Sequence, residues 1–132
     1  MLKVALGQKA DVSIFGTDYP TPDGTCIRDY IHILDLAQAH MLALGSPRSA
    51  RYNLGTGGGT SVREIVNVCE MVSGRKITVR EMPRRPGDPA RLIADSSLIH
   101  QELGWTPAFQ DPASIIASAW NWHLQHPNGY ED

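Results

Sequence analysis

Along residues 61–74, SVREIVNVCEMVSG, apolar side chains recur at helical spacing, so that Val62, Ile65, Val66, Cys69 and Val72 share one face. Ser61 and Glu64 form an S-x-x-E capping box ahead of them, and Gly74 stands where the helix should close. The same spacing predicts a helix from Leu36 to Gly45, with Leu36, Ala39 and Ala43 inward and Asp35 as N-cap. A short helix is predicted from about Ser96 to Leu103, capped by Asp95 and ended by Gly104. A last one opens with Asp111 as cap and Pro112 at its first position. It turns Ile115, Ile116, Ala119, Trp120 and Leu124 inward and stops before Pro127.

Between these stand strand-like runs at Val12–Phe15, Asp29–Leu34, RYNLG (51–55) and Lys76–Glu81, with an ordered loop, GTDYPTPDGT, over residues 16–25. Alternating strands and helices predict an α/β fold. Runs as short as YNLG read as contributions to a sheet whose other strands lie elsewhere.

At 132 residues the chain has the size of one domain. It holds no run of about 18 apolar residues, and MLKVALGQKADV lacks the apolar core and cleavage site of a secretory signal. The expectation is a soluble, cytoplasmic protein with no membrane partner. Cys26 and Cys69 are too few for a disulfide framework or a four-thiolate zinc site, and the five histidines form no HExxH, so no metal is expected. A net charge of −2 argues against a nucleic-acid partner. That charge is uneven, however. Arg75, Lys76, Arg80, Arg84, Arg85 and Arg91 face only Glu81 and Asp88 across residues 75–91, which reads as a local anion site or a solvated basic face.

Chemistry-bearing motifs are sparse. GTGGGTS (55–61) sits where a phosphate-cradling loop would, but position 60 is Thr and no Walker lysine follows, leaving a tight turn before a capped helix. Neither G-x-S-x-G nor a zinc-deaminase pattern occurs, and Asp23 and Asp35 read as turn and cap residues. The three tryptophans read as core or rim aromatics. What remains is PRRPGDPARL (83–92), where three prolines stiffen the backbone around three arginines. Guanidinium forks suit phosphates, and an aspartate three residues beyond Arg85 suits a ligand that also offers hydroxyl donors, as a ribose does. A nucleoside diphosphate fits both groups; a plain Arg85–Asp88 surface ion pair fits them equally.

GTDYPTPDGTCIRDYIHILDLAQAH (16–40), YNLGTGGGTSVREI (52–65), RRPGD (84–88) and ELGW (102–105) together resemble, in order, the C-terminal part of the UDP-glucose 4-epimerases. These are NAD-dependent members of the extended short-chain dehydrogenase (epimerase/dehydratase) family that interconvert UDP-galactose and UDP-glucose in galactose metabolism. The resemblance implies that Ser13, Ile14 and Phe15 form the strand whose backbone meets the uracil. It implies that Arg28 and Arg85 hold the diphosphate and that Asp88 binds the ribose. It places Leu92 beside the hexose, at a position whose bulk separates plain hexoses from N-acetyl sugars, with Leu intermediate. It further implies a Rossmann-type sheet completed by an NAD-binding half, to which the short strands would add.

That half is not in this sequence. The family's GxxGxxG fingerprint is missing, as is its Tyr-x-x-x-Lys pair: Asp23, Leu34 and Thr56 stand four residues beyond Tyr19, Tyr30 and Tyr52. The expectation is a UDP-sugar-binding C-terminal portion spanning residues 1–132, without catalytic or cofactor-binding residues of its own. It would be active only with an NAD-binding domain or partner chain. The alternatives are a catalytically inert stand-alone nucleotide-binding module, a truncated remnant, or a basic-patch interaction protein unrelated to sugars.

Overall fold

The computed structural model describes residues 1–130. Along it follow α1 (Leu2–Ala5), β1 (Val12–Phe15), β2 (Ile27–Arg28), α2 (Ile33–Leu44), β3 (Thr60–Ser61), α3 (Val62–Ser73), β4 (Val79–Met82), β5 (Arg91–Leu92), α4 (Ser97–Leu103) and α5 (Pro112–Gln125). The fold is α/β, as the alternation predicts. Its strands form two small sheets: β1 pairs with β4 in parallel, while β2 lies between β3, antiparallel to it, and β5, parallel to it.

Helix α3 matches its pattern closely. Ser61 and Glu64 close the capping box from both sides, and Gly74 ends the helix in the left-handed conformation. Its apolar face packs into a core of Val4, Ala5, Ile14, Ile65, Val66, Cys69, Ile77 and Trp120. Helix α5 starts at Pro112, with Asp111 accepting from the Ala113 and Ser114 N–H groups. It buries Trp120 and packs Ile116 on the same core, but Leu124, expected inward, is 49% exposed. A second core holds Ala39, Ile99 and Trp105. The N-cap of α4 is Ser96, whose side chain makes no cap bond, and not the expected Asp95, which stands one residue earlier and accepts from the Ser97 N–H; Gly104 closes the helix.

Several boundaries differ from the pattern's predictions. Residues 29–34 form no strand: Asp29 is committed to the glycine-rich turn, and α2 already begins at Ile33. Its N-cap is His32, whose Nδ1 accepts from the Leu34 N–H, and not Asp35. Asp35 lies buried in the first turn, where its carboxylate accepts the Ala108 and Phe109 N–H groups at 2.8 and 3.0 Å. The backbone carbonyl of Asp35 takes the Trp105 indole N–H at 2.9 Å. A carboxylate that serves remote donors looks in sequence like a cap. Residues 51–55 form no strand either, β4 starts later than Lys76, and Ala43 faces solvent, so that Asp35, Ala39 and the half-buried Leu42 make the inward stripe of α2.

The opposite face of α2 is unusual. Ile33, Leu34, Met41 and Leu44 are 60–81% exposed. Beside them, a cavity of about 520 Å³ between the start of α2 and α5 is lined by Ile31, Leu34, Ile115, Ala119 and Trp122, among others. No helix among the described residues is long and apolar enough to cross a membrane.

Ser61 works twice, capping α3 and donating to Asp23. Ser61→Ala should therefore lower unfolding free energy by about 1–2 kcal/mol, seen as a lower urea midpoint at an unchanged slope.

Candidate functional site

Arg28 ends β2, and the ladder sets it beside Leu92 of β5. Paired residues project to the same face of a sheet, so Leu92, 60% exposed, shares a face with Arg28. Arg28 is fixed by its own neighbourhood: Nη1 donates to the Ile27 carbonyl at 2.8 Å and to the Pro89 carbonyl at 3.0 Å. Its Nη2 lies 3.4 Å from Asp88 Oδ1. Arg85 reaches the other oxygen of the same carboxylate, Nε at 3.0 Å and Nη2 at 2.9 Å from Oδ2. Its guanidinium also stands 4.6 Å from the centroid of the Phe15 ring. Arg28, Arg85 and Asp88 thus converge, and the Arg85–Asp88 ion pair is one half of a bridge whose other end is 60 residues away in sequence.

β1 completes the surroundings. The Val12 and Gly16 N–H groups donate to Thr78 and Met82 across the β1–β4 ladder. Backbone groups alternate in direction along a strand, so Ile14 also faces β4, and its side chain is in the core. Ser13 and Phe15 point their N–H and C=O groups to the opposite edge of β1, which pairs with no strand among the described residues. Of the three expected base-contacting residues, two offer free backbone.

A third arginine, to which the sequence reading gives no role of its own, braces this arrangement. Arg84 donates from Nε to Asp18 Oδ1 at 2.7 Å and from Nη2 to the Asp18 carbonyl, with its guanidinium 4.1 Å from the centroid of the Tyr19 ring. The hydrogen bond from Arg84 holds the Asp18 carboxyl below its ordinary range. Gly16 makes room for the stack: its φ is +85°, and a Cβ there would stand 2.4 Å from Tyr19 Cε2 and 2.7 Å from Arg84 Cγ. The loop of residues 16–25 is thereby fastened to the segment that carries Arg85 and Asp88. The available signal is an aromatic and an acid in one loop, Tyr19 and Asp18, and an arginine pair in another, Arg84 and Arg85.

The glycine-rich turn does not fit a dinucleotide. Most of its donors are already used: Thr56 N–H and Oγ1 and Gly57 N–H bond Asp29, joined there by the Ala94 N–H from another segment, and the Gly55 and Gly58 N–H groups bond the Ser96 and Thr56 hydroxyls. At the start of α3, Val62, Arg63 and Glu64 donate to the Cys26 carbonyl, Thr25 Oγ1 and Ser61 Oγ. A phosphate would meet a carboxylate where it needs N–H groups. Burial pushes the Asp29 carboxyl up, but the Thr56 hydroxyl and the three N–H groups outweigh it and hold the group below its usual range. Asp23 behaves alike: burial raises it, and bonds from Ser61 and Thr25 bring it down further. No group of three potential metal ligands occurs among the described residues. Cys26 and Cys69 are both buried and unpaired with each other.

Residues 3–113 match the family model described as GDP-mannose 4,6 dehydratase. The chain belongs to that family. Within it, the chain is 51% identical to a UDP-glucose 4-epimerase of Halalkalibacterium halodurans, over 98% of its own length and 40% of the relative's. A crystal structure of a UDP-glucose 4-epimerase superposes with a TM-score of 0.92 at 50% identity, covering 99% of this chain and 41% of the other. The Bifidobacterium longum UDP-glucose 4-epimerase, solved in complex with NAD+ and UDP, gives 0.89 at 42% identity, with 98% and 39% covered. The chain thus corresponds to a C-terminal portion of the UDP-glucose 4-epimerases and spans about 40% of the length of the relatives it matches.

Two outcomes follow for stability. The depressed folded-state pKa values of Asp29 and Asp23 give stability that is fully present above the unfolded value near 3.9 and lost as pH falls through the lower folded values. Urea midpoints should hold from pH 7 to about 5 and drop below about 4, and Asp29→Asn should shrink that drop while costing about 2 kcal/mol at pH 7. Tyr19 contributes chiefly its ring, since its buried hydroxyl has no close hydrogen-bond partner among the described residues and only the weakly polar Cys26 thiol beside it. Tyr19→Phe should be neutral or stabilising by up to about 1 kcal/mol, whereas Tyr19→Ala should destabilise by about 3 kcal/mol.

Proposed function

We propose that this chain is the UDP-sugar-binding portion of a UDP-glucose 4-epimerase, serving C4 epimerisation of UDP-galactose and UDP-glucose in galactose metabolism in the cytoplasm. The observation that carries the reading is the convergence of Arg28 and Arg85 on Asp88. Two guanidinium groups from separate strands and loops, each held by its own carbonyl or aromatic neighbours, make a preorganised seat for a diphosphate. Ser13 and Phe15 would present backbone donors and acceptors to the uracil along the open edge of β1. Asp88 would accept from the ribose, and Leu92 would stand beside the hexose and bound its size.

Placing the grip on the diphosphate has a chemical purpose. Epimerisation at C4 requires both faces of the sugar to be presented in turn, so the hexose must be free to rotate about a fixed nucleotide. Interactions concentrated on UDP allow that freedom while keeping the sugar from diffusing away. The cofactor and the tyrosine base belong to an NAD-binding portion that completes the enzyme, on the same polypeptide or on a partner chain. The apolar face of α2, with Ile33, Leu34, Met41 and Leu44 exposed, supports such a completion, because four large apolar side chains on one helix call for a covering surface. By itself the present chain would bind UDP and turn over nothing.

Calorimetric titration of the 132-residue chain with UDP, using NAD as the control ligand, tests the reading. UDP should bind and NAD should not, and Arg85→Ala should weaken UDP by about 2 kcal/mol or more. Equal affinity in a folded Arg85→Ala variant, or no binding of UDP by the folded chain, would count against it.

A further inference from the structure

Asp88 does more in this structure than a ribose acceptor needs to do. Both its oxygens are engaged inside the protein, Oδ1 with Arg28 and Oδ2 with Arg85. One carboxylate therefore occupies the seat between two guanidinium groups, which is where an incoming anion would have to go. It also halves the local charge, because two cations and one anion leave a single positive charge to attract the ligand. Every anion meets that obstacle equally. The compensation is unequal, since water can solvate a loosened carboxylate beside any ligand, whereas a ligand carrying hydroxyl groups adds donors held in place against it.

We propose that Asp88 is an internal competitor that makes the arginine pair selective, excluding phosphate, pyrophosphate and other hydroxyl-free polyanions and yielding to a nucleoside diphosphate whose ribose hydroxyls take over its hydrogen bonds. The proposal rests on the reading of Arg28 and Arg85 as the diphosphate seat. Two further features make the exchange workable. Gly87, at φ +81°, precedes Asp88 in an exposed turn, so the carboxylate can shift without moving a packed element. The arginines, for their part, do not need Asp88 to stay in place. Arg28 keeps its bonds to the Ile27 and Pro89 carbonyls, and Arg85 keeps the Phe15 ring. Selectivity is thus built by repulsion as well as attraction.

The test is calorimetry at one fixed ionic strength, with wild-type chain and Asp88→Asn each titrated with pyrophosphate and with UDP. Pyrophosphate should bind about tenfold more tightly to Asp88→Asn, a gain of about 1.4 kcal/mol. UDP should gain less or lose affinity, so that the preference for UDP over pyrophosphate falls by about tenfold or more. Pyrophosphate binding that is unchanged or weaker in Asp88→Asn, with UDP still bound, overturns the internal competitor and leaves the functional reading standing. Tighter pyrophosphate with no UDP binding to either protein keeps the competitor and overturns the functional reading. Failure of both ligands with both folded proteins overturns both. If Asp88→Asn does not fold, wild-type chain is titrated with UDP and 2′,3′-dideoxy-UDP. At least about tenfold weaker binding of the dideoxy compound supports the proposal, since the two ligands differ only in the hydroxyls that Asp88 would accept. Equal binding overturns it.

Discussion

One carboxylate, that of Asp29, holds together three lengths of chain that have little regular structure of their own. It follows β2, and it accepts from Thr56 and Gly57 of the glycine-rich turn and from Ala94 beyond β5. Gly55 shows how tight the junction is: a Cβ there would stand 2.3 Å from Asp29 Oδ2 and 2.7 Å from the Ala94 side chain. With only two-residue strands at β2, β3 and β5, ladder hydrogen bonds are too few to define this sheet. A charged acceptor serving several N–H groups substitutes for the missing rungs, and charge-assisted bonds are the stronger kind. Because Arg28 and Leu92 ride on β2 and β5, the arginine cluster inherits its geometry from this junction.

The helices were legible in the sequence because their information is local. Capping box, face and closing glycine of α3 all lie within fourteen residues, and each took its expected place. The strands were less so, because a two-residue strand carries no periodicity, and a remote partner decides whether it forms at all. Asp35 is the clearest case. A residue just before an apolar helical pattern reads as a cap, and nothing near it in sequence reveals the backbone donors of Ala108 and Phe109 that it serves. Arg28, Arg85 and Asp88 became candidates together through likeness to a family, since their meeting spans 60 residues. Stiffened arginines beside an aspartate could be read from PRRPGDPARL alone; their partner on β2 could not.

Rigidity at the cluster comes from aromatic rings as much as from prolines. Tyr19 underlies Arg84 and Phe15 underlies Arg85, so consecutive arginines are each stacked on a ring from the β1 strand or the loop that follows it. A guanidinium stacked on a ring keeps its in-plane donors free. Arg84 spends its donors on Asp18, which fastens the loop, while Arg85 keeps one edge toward Asp88 and the open surface. Adjacent residues of the same type thus divide the work, one structural and one facing outward.

The edge of β1 that pairs with no strand among the described residues bears on how the sequence can drift. Whatever lies along that edge meets the N–H and C=O groups of Ser13 and Phe15, which every amino acid except proline supplies in full. Recognition of this kind is written in strand geometry and not in side-chain identity. Proline apart, that backbone contact asks nothing of the side chain at position 13, while position 15 lends a ring to Arg85 and position 14 fills the core. Three neighbouring residues thus carry three separate tolerances, and a change at one leaves the other two tasks intact.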